Sequence, residues 1–384
     1  MKLTINKEHI IDGLLKAVSI MPAKAGAQYL RSIWLKAEEG HISVMTTDAN
    51  IEFTGKYEAE VEEPGLVGVQ GRAFVDLVRQ LPSGLLHITA DTTSGNLLLK
   101  QGRRTYKLPV SGEEWFQNFS DFPTDNAVTW SGDFLQDILD KIIFCISDDD
   151  TMDAIACLYM KPQQNGNIDV CGLNGYIFAL FSFTHDELAS RLPKNGILIQ
   201  KKYLQDIKKW LCPDEIELNI TDKRLYFRNI NKTETLSLPR AAYDYPDYST
   251  FMSRLATENM HPMTLNRKEL MDALSRILIF NTENDRCTYM DISSSEVSLS
   301  VQGQEIGSAD ESIEVQYNGD INRIAFPTRN LLDVLGHFIS AKVDMMLTES
   351  EGPCGIRGAE DANYTVIIMP MKISETAYYS EEDV

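Results

Sequence analysis

The sequence lacks long apolar runs, since none of its hydrophobic stretches reaches the roughly 18 residues that a transmembrane helix needs. Its first ten residues, MKLTINKEHI, carry charges where a signal peptide would have an apolar segment. The six cysteines lie far apart and form no CxxC pair, which argues against a zinc knuckle or a thioredoxin-like site. We therefore expect a cytoplasmic protein with no membrane partner and with reduced, mostly buried thiols.

The common catalytic and cofactor signatures are also missing. The sequence contains no GxxxxGK[ST] loop, no GxGxxG after a strand, no GxSxG elbow and no HExxH helix. Asp148, Asp149, Asp150 and Asp153 cluster, but they lack the glycine and the ligand spacing of a calcium loop, so we interpret them as a solvated acidic loop. These absences predict a non-catalytic protein without a cofactor or metal. A cryptic hydrolase would need a nucleophile and a base brought into one cleft.

Positive charge is scarce. The chain has 36 Lys and Arg against 56 Asp and Glu, a formal net charge of -20. This balance at first argues against nucleic acid as a partner, because a phosphate backbone attracts Lys and Arg. The position of the charges matters more than their sum, however, so the exclusion depends on where the cations lie.

A unit of about 130 residues occurs three times along the chain. A first helical pattern recurs as NKEHIIDGLLKAV from Asn6, SGDFLQDILDKII from Ser131 and NRKELMDALSRIL from Asn266. Each copy begins with an Asn or Ser that can cap a helix. A second pattern recurs as QGRAFVDLVRQL from Gln70, QKKYLQDIKKWL from Gln200 and PTRNLLDVLGHF from Pro327. Two separate helices with the same period predict three homologous domains.

Between the helices, the sequence alternates as β-strands do. Each repeat closes on a strand that ends in a proline, at Pro109, Pro239 or Pro370. The predicted fold class is α+β, with each domain formed by two helices packed on antiparallel sheets. Polar linkers place the domains at 1–122, 123–254 and 255–373, followed by an acidic C-terminal tail at 374–384.

Five segments in this order carry a family resemblance: MKLTI, VEEPGLVGVQGRAFVDLVRQLP, the Asn174-Gly175-Tyr176 turn, YPDY at 245–248 and YTVIIMPMKI. Together they resemble the bacterial sliding clamp family, the beta subunit of DNA polymerase III, over residues 1–373. The resemblance implies clamp-type domains that form a ring as a head-to-tail homodimer, with helices around a central hole. It implies a processivity factor that encircles duplex DNA and tethers the replicative polymerase.

Cations concentrate on the repeated helices. The first-pattern helices carry Lys7, Lys16, Lys141, Arg267, Lys268 and Arg276. In a chain of net charge -20, this concentration suggests a basic inner face. The resemblance implies that duplex DNA is contacted, without sequence preference, through Lys24, Arg72, Arg79, Lys201, Lys202 and Lys209.

The resemblance also implies a hydrophobic groove between the second and third domains. It would bind a short peptide from the DNA polymerase III catalytic subunit, the clamp loader complex, or other replication and repair proteins with a clamp-binding motif. The matching residues are Ile155, Leu173, Gly175, Tyr176, Ile177, Phe178, Pro246, Thr250, Phe251, Ile367, Met369, Pro370, Met371 and Lys372. Thr250 stands where the family often has arginine, so we expect a more apolar groove. Methionine and aliphatic side chains suit several partners because they can repack.

For the contact between subunits, the resemblance points to two sets of residues. The first domain would supply Arg103, Arg104, Tyr106 and Lys107, and the third Ile279, Phe280, Asp310 and Glu311. The alternative function is an acidic three-repeat interaction scaffold that does not encircle DNA. A further hypothesis is that Tyr378 and Tyr379 of the tail occupy the groove weakly, because tethering gives them a high effective concentration; the alternative is a disordered tail without such a role.

Overall fold

The computed structural model describes residues 1–22, 27–91, 94–149, 151, 153–255, 261–282, 286–303 and 307–373. The predicted tail at 374–384 lies outside these ranges, as do Lys24 and Asp150. The chain packs into two compact units. Unit 1 comprises Met1–Leu139, Ser190–Pro193 and Ile199–Ala242, and unit 2 comprises Asp140–Ala189, Lys194–Leu198 and the chain from Tyr243 onward.

A module of one strand, one helix and three further strands occurs six times in the described chain, with β5, α4 and α6 as additions. The first repeat contains β1 (Lys2–Asn6), α1 (Lys7–Ile20), β2 (Ser32–Glu38), β3 (His41–Thr47), β4 (Glu52–Glu58), β5 (Glu60–Glu63), β6 (Gly65–Gln70), α2 (Gly71–Gln80), β7 (Leu85–Asp91), β8 (Asn96–Gln101) and β9 (Arg104–Ser111). The second contains β10 (Val128–Ser131), α3 (Gly132–Ile142), β11 (Cys157–Pro162), β12 (Asn167–Leu173), β13 (Ile177–Thr184), α4 (Asp186–Arg191), β14 (Ile197–Gln200), α5 (Lys201–Trp210), β15 (Glu215–Ile220), β16 (Arg224–Asn229) and β17 (Glu234–Pro239). The third contains α6 (Ser249–Arg254), β18 (His261–Asn266), α7 (Arg267–Ile277), β19 (Cys287–Ile292), β20 (Glu296–Gly303), β21 (Gly307–Gln316), β22 (Arg323–Pro327), α8 (Thr328–Gly336), β23 (Lys342–Leu347), β24 (Cys354–Gly358) and β25 (Tyr364–Ile368).

The six helices predicted from the repeat are confirmed, and side-chain caps begin the first-pattern set. Asn6 Oδ1 accepts a hydrogen bond from the backbone amide of Glu8 at 3.4 Å, and Asn266 Oδ1 accepts one from the amide of Glu269 at 3.1 Å. Ser131 Oγ accepts one from the helical amide three residues later at 3.2 Å. These caps satisfy amides that the first turn of a helix leaves unpaired.

Each unit contains one continuous antiparallel sheet. In unit 1 the described strands follow the order β10-β15-β16-β17-β4-β3-β2-β6-β9-β8-β7-β1-β5. In unit 2 they follow the order β14-β11-β12-β13-β25-β24-β23-β18-β21-β20-β19-β22. The predicted α+β class with antiparallel sheets is confirmed.

Two of these strand pairs join consecutive repeats. β17 pairs with β4 from Glu234 opposite Gly55 to Ser237 opposite Glu52. β25 pairs with β13, with Ile368 opposite Ile177 at one end of the ladder. The compact units therefore cross the repeat boundaries, because backbone hydrogen bonds bind the last strand of one repeat to an inner strand of another. The division at 122, 254 and 373 stays a prediction.

A buried ion pair lies beside the first of these joints. Lys16 Nζ of α1 is 2.6 Å from Glu234 Oε2 of β17, and the Tyr57 hydroxyl of β4 donates to Glu234 Oε1 at 2.9 Å. Burial, together with the Glu234 carboxylate, raises the pKa of Tyr57 far above its usual value. Gly13 makes room for this tyrosine, because a Cβ there would lie 1.7 Å from the Tyr57 hydroxyl.

The second joint has a similar arrangement. Lys141, which holds in α3 the place of Lys16 in α1, lies 2.8 Å from Asp361 Oδ1. The Tyr364 hydroxyl donates to the carbonyl of Lys141 at 2.7 Å. Burial alone would raise the pKa of Asp361, but hydrogen bonds from Lys141 and Ser340 outweigh it and lower that pKa. Both joints thus combine a helix lysine, a buried carboxylate and a tyrosine.

We expect Lys16→Met to lower the free energy of unfolding of unit 1 by about 2 kcal/mol, because it leaves the Glu234 carboxylate buried without a cation. The double variant Lys16→Met/Glu234→Gln should recover most of that loss, since it removes the uncompensated charge. Urea unfolding followed by tryptophan fluorescence measures this, because all four tryptophans lie in unit 1.

Lys36→Met is the matched control. Lys36 Nζ lies 2.7 Å from Glu38 Oε1, but the side chains of Lys36 and Glu38 are 44% and 41% exposed. Exposed pairs contribute little, so the change should stay below about 0.5 kcal/mol. Equal effects of Lys16→Met and Lys36→Met would contradict a stabilising role for the buried pair.

Candidate functional site

A tight turn between β12 and β13 forms an exposed part of the predicted groove. Asn174 Oδ1 accepts hydrogen bonds from the backbone amides of Tyr176 at 3.0 Å and Ile177 at 2.8 Å. Gly175 has a φ of +90°, a conformation that suits glycine because it has no Cβ. The turn leaves Tyr176 65% exposed. Its ring is therefore available to a ligand.

The end of the last strand lies beside this turn. β25 runs antiparallel to β13, with Ile367 opposite Phe178. After the strand ends, the amide of Met369 donates to the carbonyl of Tyr176 at 2.9 Å, and the amide of Met371 donates to β22 at 2.8 Å. These bonds hold the segment that contains the closing methionines against the turn.

The short helix α6 and the loop after α3 complete the surroundings. The ring of Phe251 meets that of Phe178 edge to face, with centroids 5.6 Å apart. The backbone amide of Ser147 donates to the carbonyls of both Ile155 and Leu173, at 3.1 Å in each case. Residues from five separate stretches of the chain thus lie together in unit 2.

The predicted groove residues differ in exposure. The exposed ones are Gly175, Tyr176, Thr250, Met371 and Lys372. The half-buried ones are Ile155, Leu173, Pro246, Phe251, Met369 and Pro370. Ile177, Phe178 and Ile367 are buried. A peptide on this surface would meet the first two sets directly, while the buried set supports them from beneath.

Two predicted DNA contacts stand on the exposed sides of α2 and α5. The side chains of Arg79 and Lys209 are each 57% exposed, and each has an aspartate three residues earlier. Arg79 is 3.4 Å from Asp76, and Lys209 is 3.9 Å from Asp206. Burial raises the pKa of Asp206 to about 6, although Lys209 opposes the shift. Each of the two cations thus has one aspartate beside it and faces solvent.

The other predicted DNA contacts differ from one another in exposure and in the groups that they contact. Lys202 Nζ lies 4.8 Å from the ring centroid of Tyr203, and Lys201 is half-buried. Arg72 donates to the carbonyl of Met21 at 3.1 Å, so its guanidinium is engaged at the end of α1. Lys24, which follows that end, lies outside the described residues.

The first-pattern helices use most of their cations internally. Lys7 donates to the carbonyl of Arg79 at 3.0 Å and also to that of Leu81, which satisfies acceptors at the end of α2. Arg267 donates to the carbonyl of Leu335 in α8 at 3.2 Å. Lys16 and Lys141, which pair with carboxylates at the two joints, are also used internally. The exposed cations available for DNA therefore lie largely on the second-pattern helices.

Most of the residues predicted at the subunit contact lie on β9 and β21, while Arg103 precedes β9 and Ile279 and Phe280 belong to the 3-10 turn that follows α7. β9 pairs with β8 from Arg104 to Pro109, but with β6 only at its last two residues. β21 pairs with β20 along its length, but with β18 only at Val315 and Gln316. Among the described residues, no strand covers the second edge of β9 over Arg104–Lys107 or that of β21 up to Glu314.

Charged and apolar side chains surround the open edge of β21. Arg276 forms two hydrogen bonds with the carboxylate of Glu311, at 2.8 and 2.6 Å, and these lower the pKa of Glu311. Asp310 accepts a hydrogen bond from the hydroxyl of Ser298 at 2.8 Å. Ile279 is 67% exposed beside them. In α7, Arg276 holds the same repeat position as the lysines at the two internal joints.

Sequence reasoning missed two polar clusters. One is the pair of lysine–carboxylate joints, for which the common spacing of Lys16, Lys141 and Arg276 in the first-pattern helices is a usable signal. The other is a hydrogen-bond network around Tyr248 and Asp169, for which the sequence contains no periodic signal.

The described part of the chain contains neither a cluster of metal ligands nor a membrane-spanning helix. No three His, Cys, Asp or Glu side chains lie close enough there to hold a metal ion. In the predicted acidic loop, Asp149 accepts hydrogen bonds from the amide and hydroxyl of Thr151, which lower its pKa. Of the described helices, none is long and apolar enough to cross a membrane.

Comparisons with family models match both ends of the chain. The model for the DNA polymerase III beta subunit, N-terminal domain, matches residues 1–120, and the model for the C-terminal domain of that subunit matches residues 253–372. A beta sliding clamp of Caulobacter vibrioides is 23% identical over 379 residues, covering 97% of this chain and 100% of the relative. That of Escherichia coli K12 is 21% identical over 378 residues, with the same coverage.

Solved structures share the fold. The beta sliding clamp of C. crescentus aligns with a TM-score of 0.89 at 23% identity, and the sliding clamp of Bartonella birtlesii, solved with bound griselimycin, aligns with a TM-score of 0.89 at 20% identity. Each alignment covers 97% of this chain and 100% of the other. The arrangement of helices and sheets described above is therefore that of these proteins.

Proposed function

The chain belongs to the DNA polymerase III beta subunit family, and we propose that it acts as a sliding clamp that encircles duplex DNA and tethers the replicative polymerase. Members of this family are non-catalytic accessory subunits of the polymerase. The tether acts through effective concentration: a polymerase that leaves the primer end stays beside the same DNA and rebinds.

The observation that carries this proposal is that, in the described chain, no strand covers the second edge of β9 or of β21 over most of its length. β4 pairs with β17, and β13 pairs with β25, whereas β21 and β9 hold the corresponding places in the third and first repeats. Pairing β21 of one copy with β9 of another would complete the series, and two such contacts would close a head-to-tail ring. Arg103, Arg104 and Lys107 would then face Asp310 and Glu311, so the charges of the two edges are complementary.

DNA would be held through phosphate contacts. Arg79, Lys202 and Lys209 offer cations on the second-pattern helices, and Lys24, Arg72 and Lys201 stay proposed contacts of the same kind. Contacts to the phosphate backbone carry no sequence information, which suits a ring that must slide. The net negative charge of the chain does not oppose DNA binding if its exposed cations face the DNA.

Peptide binding would take place on the surface of unit 2 formed by the groove residues. Exposed Tyr176 and Met371, with half-buried Leu173, Phe251 and Met369, provide apolar contacts from three different segments. The proposed ligands are clamp-binding segments of the polymerase catalytic subunit, the clamp loader and other replication and repair proteins. The division into domains 1–122, 123–254 and 255–373, the acidic tail and the cytoplasmic location are part of the same proposal.

Ile279→Asp should weaken the dimer at least tenfold, because it places a charge at an apolar position of the proposed contact between subunits. Sedimentation velocity over a dilution series measures the effect. Ile339→Asp is the control, since Ile339 is 70% exposed in the same unit but distant from both strand edges in sequence. If both variants stay dimeric to the same dilution as the wild type, the contact lies elsewhere.

Tyr176→Ala should weaken a polymerase-derived peptide about tenfold, because the exposed ring loses its contact with the ligand while the fold keeps its core. Fluorescence anisotropy with a labelled peptide that carries the clamp-binding segment of the cognate polymerase catalytic subunit measures affinity. Ile339→Ala is again the control. Unchanged binding by Tyr176→Ala would place the peptide site on another surface.

Topological retention tests the function itself. We expect the protein, after loading by its cognate loader, to stay on nicked circular DNA in salt high enough to remove ordinary electrostatic binders, and to leave after one linearising cut. Gel filtration of labelled protein with the DNA measures retention. Failure to stay on the intact circle, with a loader that is active on a known clamp, would favour the acidic scaffold that does not encircle DNA.

A further inference from the structure

A polar network of buried Tyr248, half-buried Asp169 and Ser182 and exposed Gln163 joins the sheet of unit 2 to the loop before α6. The Tyr248 hydroxyl donates to Asp169 Oδ2 at 2.7 Å. Gln163 Nε2 donates to the Tyr248 oxygen at 2.7 Å and to Asp169 Oδ2 at 2.8 Å. The Ser182 hydroxyl donates to Asp169 Oδ1 at 2.6 Å. Both oxygens of Asp169 are thus used, and the phenol is at once donor and acceptor.

Tyr248 in turn positions α6. The amides of Phe251 and Met252 donate to its carbonyl at 3.0 and 3.2 Å, so the helix begins on this residue. Its ring stacks on Phe178 with centroids 5.9 Å apart. α6 has only six residues, and a helix of that length is not stable by its own hydrogen bonds. Its place therefore depends on side-chain contacts, those of Tyr248 and the ring of Phe251 at one end and of buried Leu255 at the other.

The protonation and the burial of Tyr248 favour one arrangement of the network, in which its phenol donates to Asp169. Burial and the Asp169 carboxylate are among the causes that raise the pKa of Tyr248 far above its usual value, so the phenol remains a donor at every physiological pH. Tyr248 is only 8% exposed, and a buried phenol that loses its acceptor is costly. The hydrogen bond to Asp169 consequently fixes both the orientation of the Tyr248 ring and how deeply the ring is buried.

We propose that Asp169 and Gln163 are positioning residues for peptide binding, which act by holding Tyr248 so that α6 presents Thr250 and Phe251 to the ligand. This inference rests on the proposed peptide groove and goes beyond it, because neither residue lines that groove. The two residues determine how closely the α6 side of the groove approaches the Tyr176 turn. They thus affect which side chains the groove accepts.

The test compares four variants of the full-length protein, the fourth being the conservative Asp169→Asn. Tyr248→Phe removes the hydroxyl and keeps the ring, and Asp169→Ala removes the acceptor. Tyr364→Phe is the matched control, because it also loses one phenol hydrogen bond in unit 2, the 2.7 Å bond to the carbonyl of Lys141, without contact to α6. Each is measured by anisotropy with the labelled polymerase peptide and by hydrogen exchange of the amides in α6.

We expect Tyr248→Phe and Asp169→Ala to weaken the peptide at least tenfold and to speed exchange at Phe251 and Met252. Tyr364→Phe should leave both within about twofold, even if it lowers the melting temperature equally. Asp169→Asn should keep most of the affinity, because its amide oxygen can still accept from the phenol.

Two results would overturn the inference, and only the second of them would also overturn the groove proposal. If the wild type binds the peptide and Tyr248→Phe binds it equally well, the network is only structural and the groove proposal stands. If the wild type itself does not bind the peptide, the groove proposal falls and this inference falls with it.

Discussion

Backbone pairing between strands of consecutive repeats is the constraint on which the rest of the structure depends. A β-strand at the edge of a sheet exposes amide and carbonyl groups that need partners. β17 supplies them for β4, and β25 supplies them for β13, so that each sheet continues from one repeat into another. The repeats consequently merge into two compact units, and the open edges of β9 and β21 are where we propose that a second copy joins.

The ion pairs at the joints explain how an acidic chain distributes its few cations. Lys16 and Lys141 neutralise carboxylates that would otherwise be buried alone, and Lys7 and Arg267 bind helix ends. These cations stabilise the protein from within and are not available to a polyanion. Arg79 and Lys209, on the second-pattern helices, remain largely exposed. The net charge of -20 therefore describes the whole chain and not the surface proposed to face DNA.

The proposed peptide groove would be assembled on the same joint. β13 and β25 bring the turn with Tyr176 next to the closing methionines, because the ladder between them ends there. α6 is attached through Phe178 and Tyr248 and is too short to keep its place alone. The sheet is thus the rigid part of the surface, and the network around Asp169 connects it to the part that depends on side chains.

The sequence by itself determined the features that act over short distances. The period of the repeat placed six helices, and Asn6, Ser131 and Asn266 marked where three of them begin, because a cap bonds an amide only two or three residues away. The family resemblance, too, was visible in local segments such as the Asn174-Gly175 turn.

Only the tertiary structure decided which distant residues meet. Lys16 and Glu234 are 218 positions apart, Lys141 and Asp361 are 220 apart, and Asp169 and Tyr248 are 79 apart. In the sequence, the shared repeat position of Lys16 and Lys141 marks the two lysines, but nothing nearby shows which carboxylate will be buried beside each. Strand pairing and burial are cooperative properties of the folded chain, and for that reason the partners of these side chains appear only once the sheets have formed.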